Sequence, residues 1–314
     1  MSTVNDVTDL DLLEKGVIIA CIAVGEYTVK KRSGILDIGK DCSPTTSDFK
    51  GGIHPSAVLT DVDIHNQESI LSHMGALFPS LYITVEENME FDKQSVVQRR
   101  LYGNRDVSKY LLSLDAIDGT FIYAYTSRDD YAVCIGILER SGELSGIFRR
   151  AIFYYPEQGR FLIARGLGVV VWKDAVSGVE EPVVRVENSA LNIENFQSNK
   201  IHGEKKFGFK LPFVNDGLAI VSDIFGLIDG SRSGYVFRRG KLIDSAVGIF
   251  MLECLGFYGR YEDGSRFGDV MWGDTVHGAE RSLARMPDKL FISASSEKLY
   301  DELLMYISKN RSAV

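Results

Sequence analysis

The chain has 314 residues, 45% hydrophobic and 25% charged, with 30 Gly against 7 Pro. That composition describes one large domain or about two ordinary ones, and it excludes collagen, coiled coil and wholesale disorder. The formal net charge of -8, from 35 Lys plus Arg against 43 Asp plus Glu, lacks the broad cationic field of a duplex-DNA binder, though a local basic patch can still hold an anion.

Leu10, Leu13, Val17, Ile18, Cys21 and Val24 recur at three- and four-residue spacing and predict an opening amphipathic helix. The residues before it are acidic, with no basic start of a signal peptide. The apolar run 16–25 is ten residues, too short to span a bilayer. Residues 37–56 are polar and punctuated by Gly and Pro, and read as a long loop. A second helix is expected after Asp63, with Thr60 or Asp61 near its N-cap, Ile70, Leu71, Met74 and Leu77 on one face, and Phe78-Pro79 ending it.

Leu81 to Val85 reads as a strand delivering Glu86 and Glu87, and Leu111 to Leu114 as another that stops at Asp115. Three further strands are expected over 131–138, 146–154 and 160–164, with turns at Ser141-Gly142 and Pro156 to Gly159. Residues 173–210 are weakly patterned and read as a connection between an N-terminal half, 1–172, and a C-terminal half, 173–314. Buried segments over 218–228 and 246–255 and a C-terminal helix over 297–307 complete the reading. Cys21, Cys42, Cys134 and Cys254 lie far apart with no Cys/His cluster, which disfavours zinc and predicts reduced thiols in a cytoplasmic protein.

Chemistry concentrates at Leu114-Asp115-Ala116-Ile117-Asp118-Gly119-Thr120, where a strand runs into two carboxylates, a glycine and a hydroxyl. A helix starting there would aim its first amides at a phosphate, and the carboxylates would hold hard divalent cations against it. Alone, the motif is more often a plain Asp-Gly turn. Glu86-Glu87 cannot both be buried without a counter-charge, although an acid pair commonly just enters solvent. Asp244 precedes the apolar run 246–252, where an N-cap is the plainer explanation.

Taken together and in order, these elements resemble the inositol monophosphatase family of Mg²⁺-dependent, typically lithium-sensitive phosphomonoesterases, which includes bisphosphate nucleotidases. The likeness runs through Leu59-Thr60-Asp61-Val62-Asp63 (family T-x-x-D), the Glu86-Glu87 strand end, Asp115 to Thr120 (family DPIDGT), Asp244 to Gly248 with Leu252 to Gly256 (family WDxAAG…EAGG), and Phe291 to Ser296 before a helix. It spans roughly 10–307, with 173–235 poorly matched. Departures are Ala116 for the family proline, Ile243 for its tryptophan, Val247 for an alanine, and Phe121-Ile122-Tyr123 for Thr-Asn-Phe.

The resemblance implies a layered α/β/α/β/α sandwich and two or three Mg²⁺ ions. Glu86, Asp115 and the Ile117 carbonyl would hold one ion, and Asp115, Asp118 and Asp244 a second, ~4 Å apart as in two-metal sites. It also implies that Thr120, bonded to Asp63, orients and helps deprotonate a water. Gly119 and Thr120 amides would receive the phosphate, with Glu87 farther out.

Arg238, Arg239 and Lys241 precede Asp244 where inositol-specific members place a glutamate. They form either a solvated basic loop or contacts to a second phosphate. Lys241-Leu242-Ile243-Asp244 also resembles the K-I-W-D form of bisphosphate nucleotidases. The implied partner is a small phosphate ester, inositol monophosphate or a 3'(2'),5'-bisphosphate nucleotide, with no nucleic-acid polymer and no membrane; family members often form homodimers. The competing readings are a catalytically silent metal-binding regulator and a structural Ca²⁺-binding protein. Trp272, Asp274 and His277 superficially copy the tryptophan–aspartate motif, but the polar residues after them assign them to a loop.

Overall fold

The structure, a computed structural model, describes residues 9–38, 58–86, 108–142, 145–198, 211–213, 219–238, 242–268, 270–271 and 289–311. Helix α1, Leu10–Lys31, starts at Asp9, whose Oδ1 accepts from the Asp11 and Leu12 amides at 2.9 and 3.1 Å. It buries Leu13, Val17, Ile18, Cys21 and Val24, as their spacing predicts. Helix α2, Asp61–Leu77, begins before Asp63 because Thr60 and Asp63 close a capping box. Ile70, Leu71 and Met74 are buried on it, but Leu77 is 52% exposed, since the helix ends there and Phe78 turns inward.

Strand β1, Tyr82–Val85, lies parallel to β2, Tyr110–Asp118. The second strand does not stop at Asp115. Its pairing continues to Asp118 across an irregularity between the two aspartates. Helix α3, Thr120–Tyr125, follows directly. Strands β3, Ala132–Arg140, β4, Ser145–Tyr155, β5, Arg160–Gly166, β6, Val169–Asp174, and β7, Glu180–Pro182, continue the sheet antiparallel in sequence order. Residues 173–210 are thus not wholly a connection. They contain the end of β6, β7 and β8, Phe196–Ser198, which joins a second sheet.

Helix α4, Ile220–Ile228, precedes β9, Gly234–Arg238, and a π-helical turn, Leu242–Ala246, runs into helix α5, Val247–Cys254. Strand β10, Tyr258–Tyr261, comes next. The short β11, Val270–Met271, returns to pair with β4, and β12, Leu290–Ala294, leads into helix α6, Glu297–Arg311. The second sheet has the order β10-β12-β9-β8.

Strand alternation decides the layers. In the large sheet Leu112, Leu114, Ile135 and Ile163 pack with Val17, Cys21 and Met74 of α1 and α2. Leu111, Cys134 and Phe153 pack on the other face with α4 and α5, through Ile224, Val247 and Met251. Tyr235, Phe237 and Phe291 of the small sheet close that same core, while Val236 and Ile292 face α6 at Leu303 and Ile307. The result is a layered α/β/α/β/α sandwich, with α4 and α5 enclosed between two sheets.

Among the described residues no helix is long and apolar enough to cross a membrane. Cys21, Cys134 and Cys254 are free and buried; Cys42 lies outside the described residues.

Candidate metal centre at the end of β2

Three elements converge where β2 meets α3. The irregularity in β2 places Asp115 and Asp118 on the same side, where an uninterrupted strand would alternate residues three apart onto opposite faces. The π-helical turn supplies Asp244, and such turns recur at functional sites because they displace a side chain from the regular helical path. One carboxylate oxygen from each of Asp115, Asp118 and Asp244 lies within 4.8 Å of the other two. Asp115 and Asp118 are buried and Asp244 half-buried. Glu86 is held at the end of β1 by its amide donating to the Leu114 carbonyl at 2.9 Å. Its side chain hydrogen-bonds Asp115.

Burial raises the Asp115 carboxyl well above the usual range, and the negative charges of Glu86, Asp118 and Asp244 raise it further. Burial likewise raises Asp118, followed by the charge of Asp244, while the Val221 amide, donating to Asp118 Oδ2 at 3.3 Å, works against the shift. Repulsive, desolvated carboxylates in one place are the donor set that a hard divalent cation satisfies with oxygen ligands. The residues fit such an ion.

Local hydrogen bonds aim the ligands. The Ile117 amide donates to Asp115 Oδ1 at 3.0 Å, and the Ser245 hydroxyl donates to Asp244 Oδ1 at 3.0 Å. Asp115 sits opposite Cys134 on β3, whose thiol donates to the Ile243 carbonyl at 3.8 Å and so touches the π-helical turn from below.

Beside the acids, Asp63 is 1% exposed. Its Oδ2 accepts from the Thr60 amide at 2.9 Å and hydroxyl at 2.6 Å, and its Oδ1 accepts from the Thr120 hydroxyl at 3.1 Å. That hydroxyl also lies 2.8 Å from the Ile117 carbonyl. Thr120 has one proton and two acceptors for it, so its oxygen keeps lone pairs for an incoming donor. Gly119 takes φ 88°, and a Cβ there would meet Ala219 and Tyr131 at 3.4 Å; only glycine enters this tight, left-handed step without strain.

The structure therefore gathers Asp63, Glu86, Asp115, Ile117, Asp118, Gly119, Thr120 and Asp244. Arg238 ends β9, but its side chain, together with Lys241, Glu87, Asp274 and His277, lies outside what is described. Sequence reasoning missed the Val221 amide on Asp118 and, behind it, buried Asp223. A backbone amide has no sequence signature. Asp223 has one, a lone acid within the apolar run Ala219 to Phe225.

The architecture matches solved inositol monophosphatases over nearly its whole length. An IMPase from Thermotoga maritima is 15% identical, with 97% of this chain and 99% of that one covered and a TM-score of 0.63. The extragenic suppressor protein SuhB of Bartonella henselae is 16% identical, with 95% and 99% covered and a TM-score of 0.64. An IMPase/NADP phosphatase solved with Mg²⁺ and phosphate is 14% identical, with 94% and 95% covered and a TM-score of 0.62. No protein-family model and no curated protein matches the sequence. The class defined is that of α/β/α/β/α sandwiches with an acidic cluster at a strand end. In particular, the chain has the inositol monophosphatase fold.

Proposed function

We propose that this protein is a Mg²⁺-dependent phosphomonoesterase acting on a small phosphorylated metabolite of the inositol monophosphate or 3'(2'),5'-bisphosphate nucleotide class. The observation that carries the reading is the meeting of Asp115, Asp118 and Asp244 within 4.8 Å, from stretches far apart in sequence. The Mg²⁺ and phosphate in the IMPase/NADP phosphatase of the same fold support it.

Asp115, Asp118 and Asp244, with Glu86 and the Ile117 carbonyl, would hold the cations. Magnesium, when bound, offsets the charge of the carboxylates and phosphate and makes a neighbouring water more acidic. The remaining work belongs to the chain. Thr120 Oγ1 accepts a hydrogen bond from the attacking water and orients it. As that water loses a proton to Thr120, the hydroxyl proton of Thr120 passes to Asp63 Oδ1, 3.1 Å away. Asp63 is suited to this because Thr60 fixes its other oxygen. Amides of Gly119 and Thr120 receive the phosphate, and no covalent enzyme intermediate forms.

The test is phosphate release from inositol phosphates, bisphosphate nucleotides and sugar bisphosphates, with Mg²⁺ and with added Li⁺. The expected result is Mg²⁺-dependent, Li⁺-inhibited turnover that Asp115→Asn lowers at least about 10³-fold, ~4 kcal/mol of lost transition-state stabilisation. A chain that binds Mg²⁺ and hydrolyses none of these is a metal-binding regulator.

A further inference from the structure

A second polar cluster lies behind the cage, and the reaction above gives it no role. Asp223 stands in the first turn of α4, 6% exposed. Its Oδ2 accepts from the Tyr235 hydroxyl of β9 at 2.9 Å. Its Oδ1 accepts from Gln197 Nε2 of β8 at 3.0 Å and from the Ser222 hydroxyl at 3.3 Å. All three donor residues are themselves buried. Burying a carboxylate costs desolvation that an apolar residue docking α4 in the same place would not, so a position that keeps one calls for a reason beyond packing.

The reason is where the same turn points. The Val221 amide donates to Asp118 Oδ2, and the Val221 carbonyl accepts from the Tyr155 hydroxyl of β4 at 2.8 Å. One peptide segment is thus pinned from both sheets, by Tyr155 of the large one and, through Asp223, by Tyr235 and Gln197 of the small one. The charge of Asp223 reaches Asp118, and the Tyr235 phenol feels Asp118 and Asp244. The two clusters are electrostatic neighbours.

We propose that Asp223 is a positioning residue for the cage: with Tyr235 and Gln197 it fixes the Val221 amide that aims Asp118, and its negative charge strengthens the field that draws a divalent cation. This rests on the metal-dependent reading above, so the experiment reads cation binding without substrate. Asp223→Asn keeps the shape but removes the charge and one of the two acceptor oxygens, and Tyr235→Phe removes one donor while keeping the charge.

Titration of the full chain with Mn²⁺ by calorimetry is expected to show Asp223→Asn binding at least about tenfold more weakly than wild type, as loss of outer hydrogen-bond partners typically does. Tyr235→Phe is expected to weaken binding less, and the double variant to match Asp223→Asn, because the two act through one contact. Variants that melt at lower temperature in EDTA yet bind Mn²⁺ like wild type overturn the proposal. If Asp223→Asn does not fold, Tyr235→Phe decides alone, and unchanged affinity overturns it. Wild-type binding that Asp118→Asn abolishes and Asp223→Asn leaves intact defeats this inference only. A wild type that binds no Mn²⁺ defeats the proposed function with it.

Discussion

Burial, and after it the charge of neighbouring carboxylates, raises the Asp115 and Asp118 carboxyls well above the usual aspartate range. Their folded pKa values lie above the unfolded value of about 3.9, so the stability they contribute is full below that pH and disappears as pH rises through the raised values. Glu253, pushed by burial to about 7, acts in the same direction on a group outside the cage. In EDTA, the denaturant midpoint is expected to fall as pH climbs from about 4 upward. Saturating Mg²⁺ should abolish the share due to the cage, leaving a decline between about 4.5 and about 7 that Glu253→Gln removes. A midpoint in EDTA that is flat with pH would contradict this account. At this scale Asp115, Asp118 and Asp244 could be grouped in advance only through resemblance to a known family, since each alone reads more plainly as a turn or cap residue; the structure adds that their carboxylates lie within 4.8 Å of one another. The contact made by Val221 could not be foreseen, since any residue but proline offers that amide.

At the scale of elements, the start of α2 and the approach of α5 to α4 each tie stability to the site. Thr60→Ala removes the side-chain half of the capping box and one of the two donors to Asp63 Oδ2, the hydroxyl, while the backbone amide of residue 60 remains. The expected loss is about 1 kcal/mol of stability, read by denaturant melts, with a fall in kcat that Thr60→Ser restores. Gly248 lies one turn beyond Asp244, and a Cβ there would stand 2.5 Å from Ile220 Cγ1. Gly248→Ala is expected to cost about 1–3 kcal/mol and to weaken cation binding, with Ile220→Ala returning part of both in the double variant. Strict additivity would show that the two helices do not meet there. Strands with clear alternation, such as β3 to β5, were legible in advance. The extension of β2 to Asp118 was hidden, because Asp and Gly read as turn residues and only tertiary pairing with β3 holds them in the strand. The three-residue strands β7 and β8 carry too little pattern to be seen.

For the whole molecule, the acidic cluster brings together distant parts of the fold, with Asp115 and Asp118 on the large sheet and Asp244 in the turn that leads into α5 between both sheets. Under the proposed function, a cation that binds only the folded chain stabilises the fold as a whole. At 100 times the dissociation constant, Mg²⁺ is expected to add about 2.7 kcal/mol, seen as a shifted denaturant midpoint with unchanged slope and absent in Asp118→Asn. The five-layer arrangement was readable only through resemblance to a known family. Periodicity found most of the elements but carries no information on which sheet face each helix covers. Asp63 ties these scales together, one oxygen caring for its own helix and the other for Thr120. Laboratory selection for heat resistance usually erodes turnover, because active groups sit in uneasy surroundings. Under the proposed reaction, the two pressures pull on the same atoms of Asp63 in the same direction.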